Sequence, residues 1–341
     1  MAQAHPEYKN ILVIHFGQLG DVVLGLPALR AVRLRFPRSL ITVMSGKSSA
    51  VIVELAAVAD EQIIVDRVEL RDGNKLRSIA SLVKLVGNVR RRKFDLVVDL
   101  HSLFETNLLG FLAGIPQRLY ADRNRRSLNW LSNFPVSPVA EDREKHAARR
   151  YVDVVLPLGI ENFEPKLELK PFIGYVTEFR EQLQSHGVSD GDELVGLFLG
   201  AGHPSRRWPL AKYAELASRI ADEVSAKVLV FLGPEEIELL PEVKAQFPPS
   251  AIIFDKLKLL PLFAALTFLK VLVSNDTGPT HLAAATNAWI VLVTHSDTPH
   301  EFRPLTNRLT VINSEAINEI GVDEVYLAVR HELKNDKSSH A

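Results

Sequence analysis

Three short stretches hold residue types suited to a charged, hydroxyl-rich ligand. The first is HFGQLGDVVLGLPALR, where Asp21 follows the apolar run ILVIHF (11–16) by a few residues, among Gly17, Gln18 and Gly20. A carboxylate at this place has two readings. As a helix cap it accepts from backbone N–H groups that have no helical partner, worth about 1 kcal/mol. As a general base it takes a proton from a substrate hydroxyl, and the flanking glycines leave room for that substrate.

The second stretch, GAGHPSRRWP (200–209), follows the apolar run LVGLFL. Gly200 and Gly202 permit close backbone approach, and Arg206 and Arg207 offer guanidinium groups suited to phosphate. Trp208 either stacks on a base or packs in the core, and Pro209 suits the first turn of the next helix. A nearby LGPEE (232–236) offers Glu235 or Glu236 either to ribose hydroxyls or to the first turn of a helix. The third stretch is SNDTGPTHLAAA (274–285). Asp276 or Thr277 caps a helix there, Gly278 opens the backbone, Pro279 suits the first turn, and free N–H groups make a seat for an anion. His281 lies one turn into that helix, as a packing residue or a further donor.

These stretches need a frame that puts strand ends together. Ten short apolar runs supply it: 11–16, 40–44, 62–65, 95–100 and 118–121 in the first half, and 194–199, 227–232, 251–254, 270–274 and 289–294 in the second. Most are unbroken apolar runs, as parallel strands buried on both faces require. Helical patterns lie between them, including 27–36, 75–92, 210–224 and 278–286. The fold class expected is α/β, with two Rossmann-like domains facing across a cleft. The charged, proline-containing segment 161–172 divides them, giving domains 1–172 and 173–341. Ligands of such sheets bind beyond the carboxyl ends of the strands, where all three stretches fall.

Composition removes several classes of function. The chain has no cysteine, which excludes disulfides, thiolate metal sites and a cysteine nucleophile. No run of about 18 residues is apolar and free of charge, and the polar start MAQAHPEYKN has no secretory character, so the cytoplasm is the expected compartment. A net charge of -1 speaks against nucleic acid as a partner. The charge is uneven, however. Residues 1–170 hold 25 Lys and Arg against 19 Asp and Glu, a net of +6, whereas the remainder holds 15 against 22, a net of -7. A basic first half, with the runs RRRK (90–93) and RNRR (123–126), suits an anionic acceptor or membrane face, or is simply solvated surface. A nicotinamide site is not expected, because His15 stands where G-x-G-x-x-G needs its first glycine.

Taken together, GQLGDVVLGLPALRAVRLRFP, RRWPLAKYAEL, LGPEE and SNDTGPTHLAAA resemble, in order, the ADP-heptose:lipopolysaccharide heptosyltransferases, glycosyltransferase family nine, whose enzymes have the GT-B fold. FDLVVDLHSLFETNLL, GIPQRLY and HAARRYVDVVLPLGI add lesser matches, so the likeness spans nearly the whole chain. The resemblance implies a metal-independent inverting transferase without a cofactor. It would move heptose from ADP-heptose to an inner-core lipopolysaccharide or other lipid-linked glycan acceptor, in peripheral contact with the inner face of the plasma membrane. By position it implies Asp21 as general base and Arg206 as a contact to the donor phosphates. Asp276, Thr277, Gly278 and His281 would surround the diphosphate and sugar, with Glu236, or else Glu235, near the ribose and Leu257 beside the adenine. Ala201 and Gly202 replace positions that carry hydroxyls in some members. On the acceptor side, Gly17 and Gln18 stand where many members have Ser or Thr before Gly20 and Asp21. The alternatives are a GT-B transferase or epimerase of another nucleotide sugar, and a nucleotide-binding module without catalysis. The sole D-x-D, Asp190–Gly191–Asp192, precedes a strand and reads as a turn rather than a metal site.

Overall fold

In the computed structural model, residues 7–66, 75–123, 127–161 and 163–335 are described. Met1–Pro6, Asn124–Arg126 of the second basic run, Asn162 of the segment 161–172 and Asp336–Ala341 of the polar tail lie outside them. The chain divides into two compact units, Met1–Leu167 and Glu168–Ala341.

The first unit is built on strands β1 (Asn10–His15), β2 (Leu40–Gly46), β3 (Glu61–Val65), β4 (Leu96–Asp99) and β5 (Gln117–Tyr120), in the order β3-β2-β1-β4-β5. Every pairing is parallel, for example Ile11 with Ile41 and Ile11 with Leu96. Parallel neighbours need crossover connections, supplied by α1 (Leu19–Arg35), α2 (Ala50–Ala56), α3 (Lys75–Arg91) and α4 (Phe104–Leu112). A further helix, α5 (Ala147–Val155), packs along α1. Leu12, Ile14, Val97 and Tyr120 form the core on one face, with Val89, Leu109 and Ala113 from α3 and α4 and its end.

The second unit opens with α6 (Ile173–Ser185) and carries β6 (Leu194–Phe198), β7 (Lys227–Phe231), β8 (Ile252–Phe254), β9 (Val271–Ser274), β10 (Trp289–His295) and β11 (Leu309–Ser314). Their order is β11-β10-β9-β6-β7-β8, again all parallel. The connecting helices are α7 (Leu210–Glu223), α8 (Leu240–Gln246), α9 (Leu259–Leu266) and α10 (Gly278–Ala283), and α11 (Val322–Asn335) closes the unit. Trp208, Tyr213, Leu216 and Ile220 pack against Val195, Val230 and Val273 in its core.

The ten expected strands agree with the observed ones to within two residues at either end. Two elements differ from expectation. The strand β11 falls on LTVINS, which has no long apolar run because it is a half-buried edge strand. The helix expected over 27–36 begins at Leu19 and carries Pro27 inside it. Its residues Val22 to Leu29 are buried all round, so the helical pattern has no polar face to reveal its start. Asp190–Gly191–Asp192 does form a turn before β6, closed by Asp192 N–H to Ser189 O at 3.0 Å. Among the described residues no helix is long and apolar enough to cross a membrane.

Candidate active site

The progression of strands reverses between β1 and β4 in the first unit, and between β6 and β9 in the second. Loops diverging from such a reversal leave a crevice at the carboxyl ends of the strands. Asp21 belongs to the loop and helix after β1, His101 to the loop after β4, Arg206 to the loop after β6, and Asp276 to the loop after β9.

In the first unit Gln18 is the N-cap of α1, and Asp21 is its third helical residue. The Asp21 carboxylate accepts from the Gln18 N–H at 3.0 Å. Asp21 therefore caps from inside the helix, not as the N-cap residue itself. That uses one carboxylate oxygen and leaves the side chain partly exposed. Burial raises its pKa above the ordinary aspartate value, while the Gln18 N–H, Arg123 and Arg150 pull it down. The close fit explains Gly17: a Cβ there would stand 2.2 Å from the Cβ of Asp21. Gln18 is exposed, and Gly20 is partly buried in the first turn.

Behind Asp21 lies an aromatic and basic group that the motifs alone did not anticipate. His15 is fully buried, and its Nδ1 accepts from the Gly17 N–H at 3.2 Å. Its ring lies 4.7 Å from that of Tyr151 and 5.7 Å from that of His101. Burial holds the His15 pKa well below the ordinary value, so the imidazole is neutral. The ring fits only because Gly25 of α1 has no side chain; a Cβ there would come within 2.3 Å of Nε2. Tyr151 is kept protonated by burial and by the nearby Asp21. Arg123 donates to the His101 carbonyl at 2.7 Å, and both Arg123 and Arg150 reach Glu141, at 3.4 and 3.5 Å. The loop after β4 is organised by Asp99, a fully buried carboxylate at the strand end. It accepts from the His101 and Ser102 N–H groups, the Thr106 hydroxyl and the Asn107 amide. Burial outweighs those bonds and pushes its pKa up to about 6.

In the second unit the loop after β6 begins with buried Leu199, Gly200 and Ala201, then emerges at Gly202. A 3-10 turn, Pro204–Arg206, leaves Arg206 exposed. Arg207 turns the other way and pairs with Glu236 at 3.3 Å. Trp208 is fully buried, its indole N–H donating to the Ile320 carbonyl at 3.1 Å, so packing is its role and base stacking is not available to it. Pro209 is the N-cap of α7, one residue before the position expected for it.

Burial also separates the two glutamates. Glu235 is exposed, and Glu236 is 4% exposed, both in the 3-10 turn Pro234–Leu239 after β7. The Glu236 carboxylate fills the space over Gly200, where a Cβ would meet it at 2.9 Å. Gly200 thus makes room for a protein carboxylate and not for a ligand. Burial raises the pKa of Glu236, against the pull of Arg207. Leu257, in the loop between β8 and α9, is half-buried.

The loop after β9 is held by hydroxyls. Thr277 is the N-cap of α10, but its Oγ1 lies 2.9 Å from Thr280 Oγ1 and makes no bond to a helix N–H. Thr280 Oγ1 in turn donates to the Asn275 carbonyl at 2.8 Å and lies 2.7 Å from Ser274 Oγ. The capping expected of Asp276 or Thr277 is therefore replaced by a hydroxyl cluster; Pro279 has no N–H, the Thr280 N–H donates to the Thr277 carbonyl at 3.2 Å, and the Gly278 N–H is left without a side-chain cap. α10 has only six residues, so its helix dipole is short. His281 is buried, with Nε2 3.9 Å from Asp276 Oδ1. Burial raises the Asp276 pKa, and Arg206 opposes it. Asn275 joins this loop to the one after β6: its Oδ1 accepts from the Trp208 N–H and the Tyr213 hydroxyl, and its Nδ2 donates to the Val293 carbonyl. Among the described residues no group of three or more His, Asp or Glu side chains is placed to hold a metal ion.

Each unit thus gathers its own set. Asp21 and Gly17 meet His15, Tyr151 and the arginines in the first. In the second, Arg206 stands with Asp276, and Asp276 with His281, while Glu236 stands with Gly200 and Arg207.

The sequence profile of glycosyltransferase family 9 (heptosyltransferase) matches residues 82–324. Lipopolysaccharide heptosyltransferase 2 of Escherichia coli K12 is 25% identical over 314 residues, covering 89% of this chain and 87% of its own. The crystal structure of a family 9 glycosyl transferase from Veillonella parvula superposes with a TM-score of 0.83 at 25% identity, covering 95% of this chain and 97% of that one. The ADP-heptose lipopolysaccharide heptosyltransferase II of E. coli superposes with a TM-score of 0.78 at 23% identity, covering 96% and 99%.

Proposed function

The chain belongs to glycosyltransferase family 9, the heptosyltransferases, and from that premise we propose that it transfers heptose from ADP-heptose to a hydroxyl of an inner-core lipopolysaccharide acceptor, with inversion. One observation carries the mechanism: Asp21 is a partly buried carboxylate fixed by a backbone N–H at the strand reversal of the first sheet, with one oxygen not used by its cap. Burial makes it a stronger base than free aspartate, and the Gln18 N–H and the adjoining guanidinium groups oppose that rise.

In the proposed step the acceptor hydroxyl gives its proton to Asp21 as its oxygen bonds to the anomeric carbon. The bond from that carbon to the diphosphate oxygen breaks, and ADP leaves with the electron pair. The charge developing on the diphosphate is met by Arg206 and by the N–H groups around Thr277 and Gly278, already held by the hydroxyl cluster. Glu236 receives the ribose, and Leu257 the adenine face. Ala201 and Gly202 line the donor loop, and Asp276 and His281 the sugar. Gly17, Gln18 and Gly20 line the acceptor side, where the family's usual hydroxyl contact is missing. The acceptor is lipid-linked, so the protein works in the cytoplasm against an anionic membrane face.

The test is a transfer assay with ADP-heptose and a lipid-free core fragment, read by mass spectrometry and by the anomeric configuration of the product. A heptosylated, inverted product is expected. ADP binding without transfer would make the chain a nucleotide-binding module. Thermal stabilisation by UDP or GDP rather than ADP would assign another nucleotide sugar.

A further inference from the structure

The first unit leaves an apolar face uncovered. Phe104, Leu108, Phe111 and Leu112 of α4 are 50%, 39%, 47% and 45% exposed. Their spacing puts all four within a third of the helix circumference. The opposite face is committed to the core through Thr106, Asn107, Leu109 and Gly110. Gly110 lies so close to the Tyr120 hydroxyl that a Cβ would stand 2.3 Å from it, and that hydroxyl donates to the Asn107 carbonyl at 2.9 Å. The helix therefore cannot roll to bury its outer face.

Beside it stands Trp130, 74% exposed, on the short turn Asn129–Leu131. That turn packs on α4 and is pinned by the Leu128 N–H to Asn107 Oδ1 at 2.9 Å, with Leu131 buried beneath. The indole is held outward next to α4, since its neighbours on either side are fixed.

The rim of this face is basic. At and just past the end of α3, Arg90, Arg91 and Lys93 are exposed. Arg118 lies 5.5 Å from the Phe111 ring centroid, and Arg90 reaches the end of α4 near Gly114. Aromatic and leucine side chains on one face with a cationic rim are the composition that enters a lipid interface. A helix of nine residues lies in such an interface and does not span it.

We propose that this face of α4, with Trp130 and its basic rim, docks the protein on an anionic lipid bilayer. A second copy is a poor occupant, since it would bring the same positive rim against itself. α4 starts directly after the loop that carries His101, so docking here would set the acceptor side of the first unit beside the lipid. The choice of a bilayer rests on the lipid-linked acceptor proposed above; the exposed face and its charge do not.

The experiment is cosedimentation with vesicles of about 7:3 phosphatidylcholine to phosphatidylglycerol, against phosphatidylcholine alone. Expected are at least about tenfold tighter binding to the anionic vesicles, weakened by salt, and a blue shift of Trp emission that Trp130→Phe abolishes. Leu108→Glu/Phe111→Glu loses that binding by at least about tenfold, while thermal stability and transfer to the lipid-free acceptor stay as in the parent. Failure of the parent to bind anionic vesicles, or equal binding by the double variant, overturns the proposal. So does a dimer by light scattering that the double variant dissociates. Vesicle binding without any transfer to the lipid-free acceptor would instead overturn the transferase reading and leave the docking surface standing.

Discussion

The first five strands of each unit are arranged in the same order, yet the loops at the two strand reversals present opposite groups. In the first unit the chain enters a seventeen-residue helix, and a carboxylate on its first turn, Asp21, is locked by the backbone. In the second unit the loop after β9 enters a six-residue helix at which hydroxyls bond to one another and to a carbonyl, and the Gly278 N–H has no side-chain cap. The same frame thus presents a carboxylate in one unit and a hydroxyl-held turn in the other, which the proposed mechanism uses as base and as charge acceptor. The loop and helix that leave each central strand decide between the two.

Five substitutions bear on that contrast. The largest effect is expected for Asp21→Asn, which keeps the shape and removes the base: turnover falls about 100-fold or more while ADP affinity is unchanged. Near-normal turnover would take Asp21 out of the mechanism. In the parent, the base must be ionised and its pKa lies above 3.8, so kcat/KM falls as pH drops through that raised value.

A matched pair of glycine changes comes next. Gly17→Ala forces a Cβ against the Asp21 side chain, and Gly200→Ala forces one against the Phe198 ring and the Glu236 carboxylate. The first should lower kcat by about tenfold without altering ADP affinity, and the second should weaken ADP by about tenfold, or 1.4 kcal/mol. If both moved the same parameter, the division of labour between the units would fail.

Arg206→Gln removes a guanidinium from the donor loop and should weaken ADP about fivefold, less at high salt; calorimetry at two ionic strengths reads both. The smallest effect is expected for Thr277→Val, which keeps the N–H and removes the hydroxyl: ADP affinity changes by less than about threefold. A larger loss would assign the seat to the hydroxyl instead. A proline at this position is no clean probe, since Thr277 has φ -146° and proline requires about -65°.

Much of the frame was legible because buried parallel strands write themselves as unbroken apolar runs, as in ILVIHF and WIVLVTH. Where burial is partial, as in LTVINS, that signal disappears. The motif-bearing residues were legible from type and spacing. Their partners were not: Asp21 is joined by Arg123 and Tyr151, more than a hundred residues along the chain, Tyr151 through the packing of α5 on α1 and Arg123 through its bond to the His101 carbonyl. The choice between Glu235 and Glu236 depended on which side chain the turn at Pro234–Leu239 buries, a rotation that spacing alone does not carry. Arg206 and Arg207 read as a pair, yet one is exposed and the other answers Glu236.

Asn275 gives the second unit a property beyond ligand contact. One amide side chain joins the start of α7, the loop after β9 and the end of β10. The three segments cannot open separately without leaving a buried amide unsatisfied. In hydrogen-exchange terms they should behave as one opening unit, so that a ligand ordering any one of them slows exchange in all three.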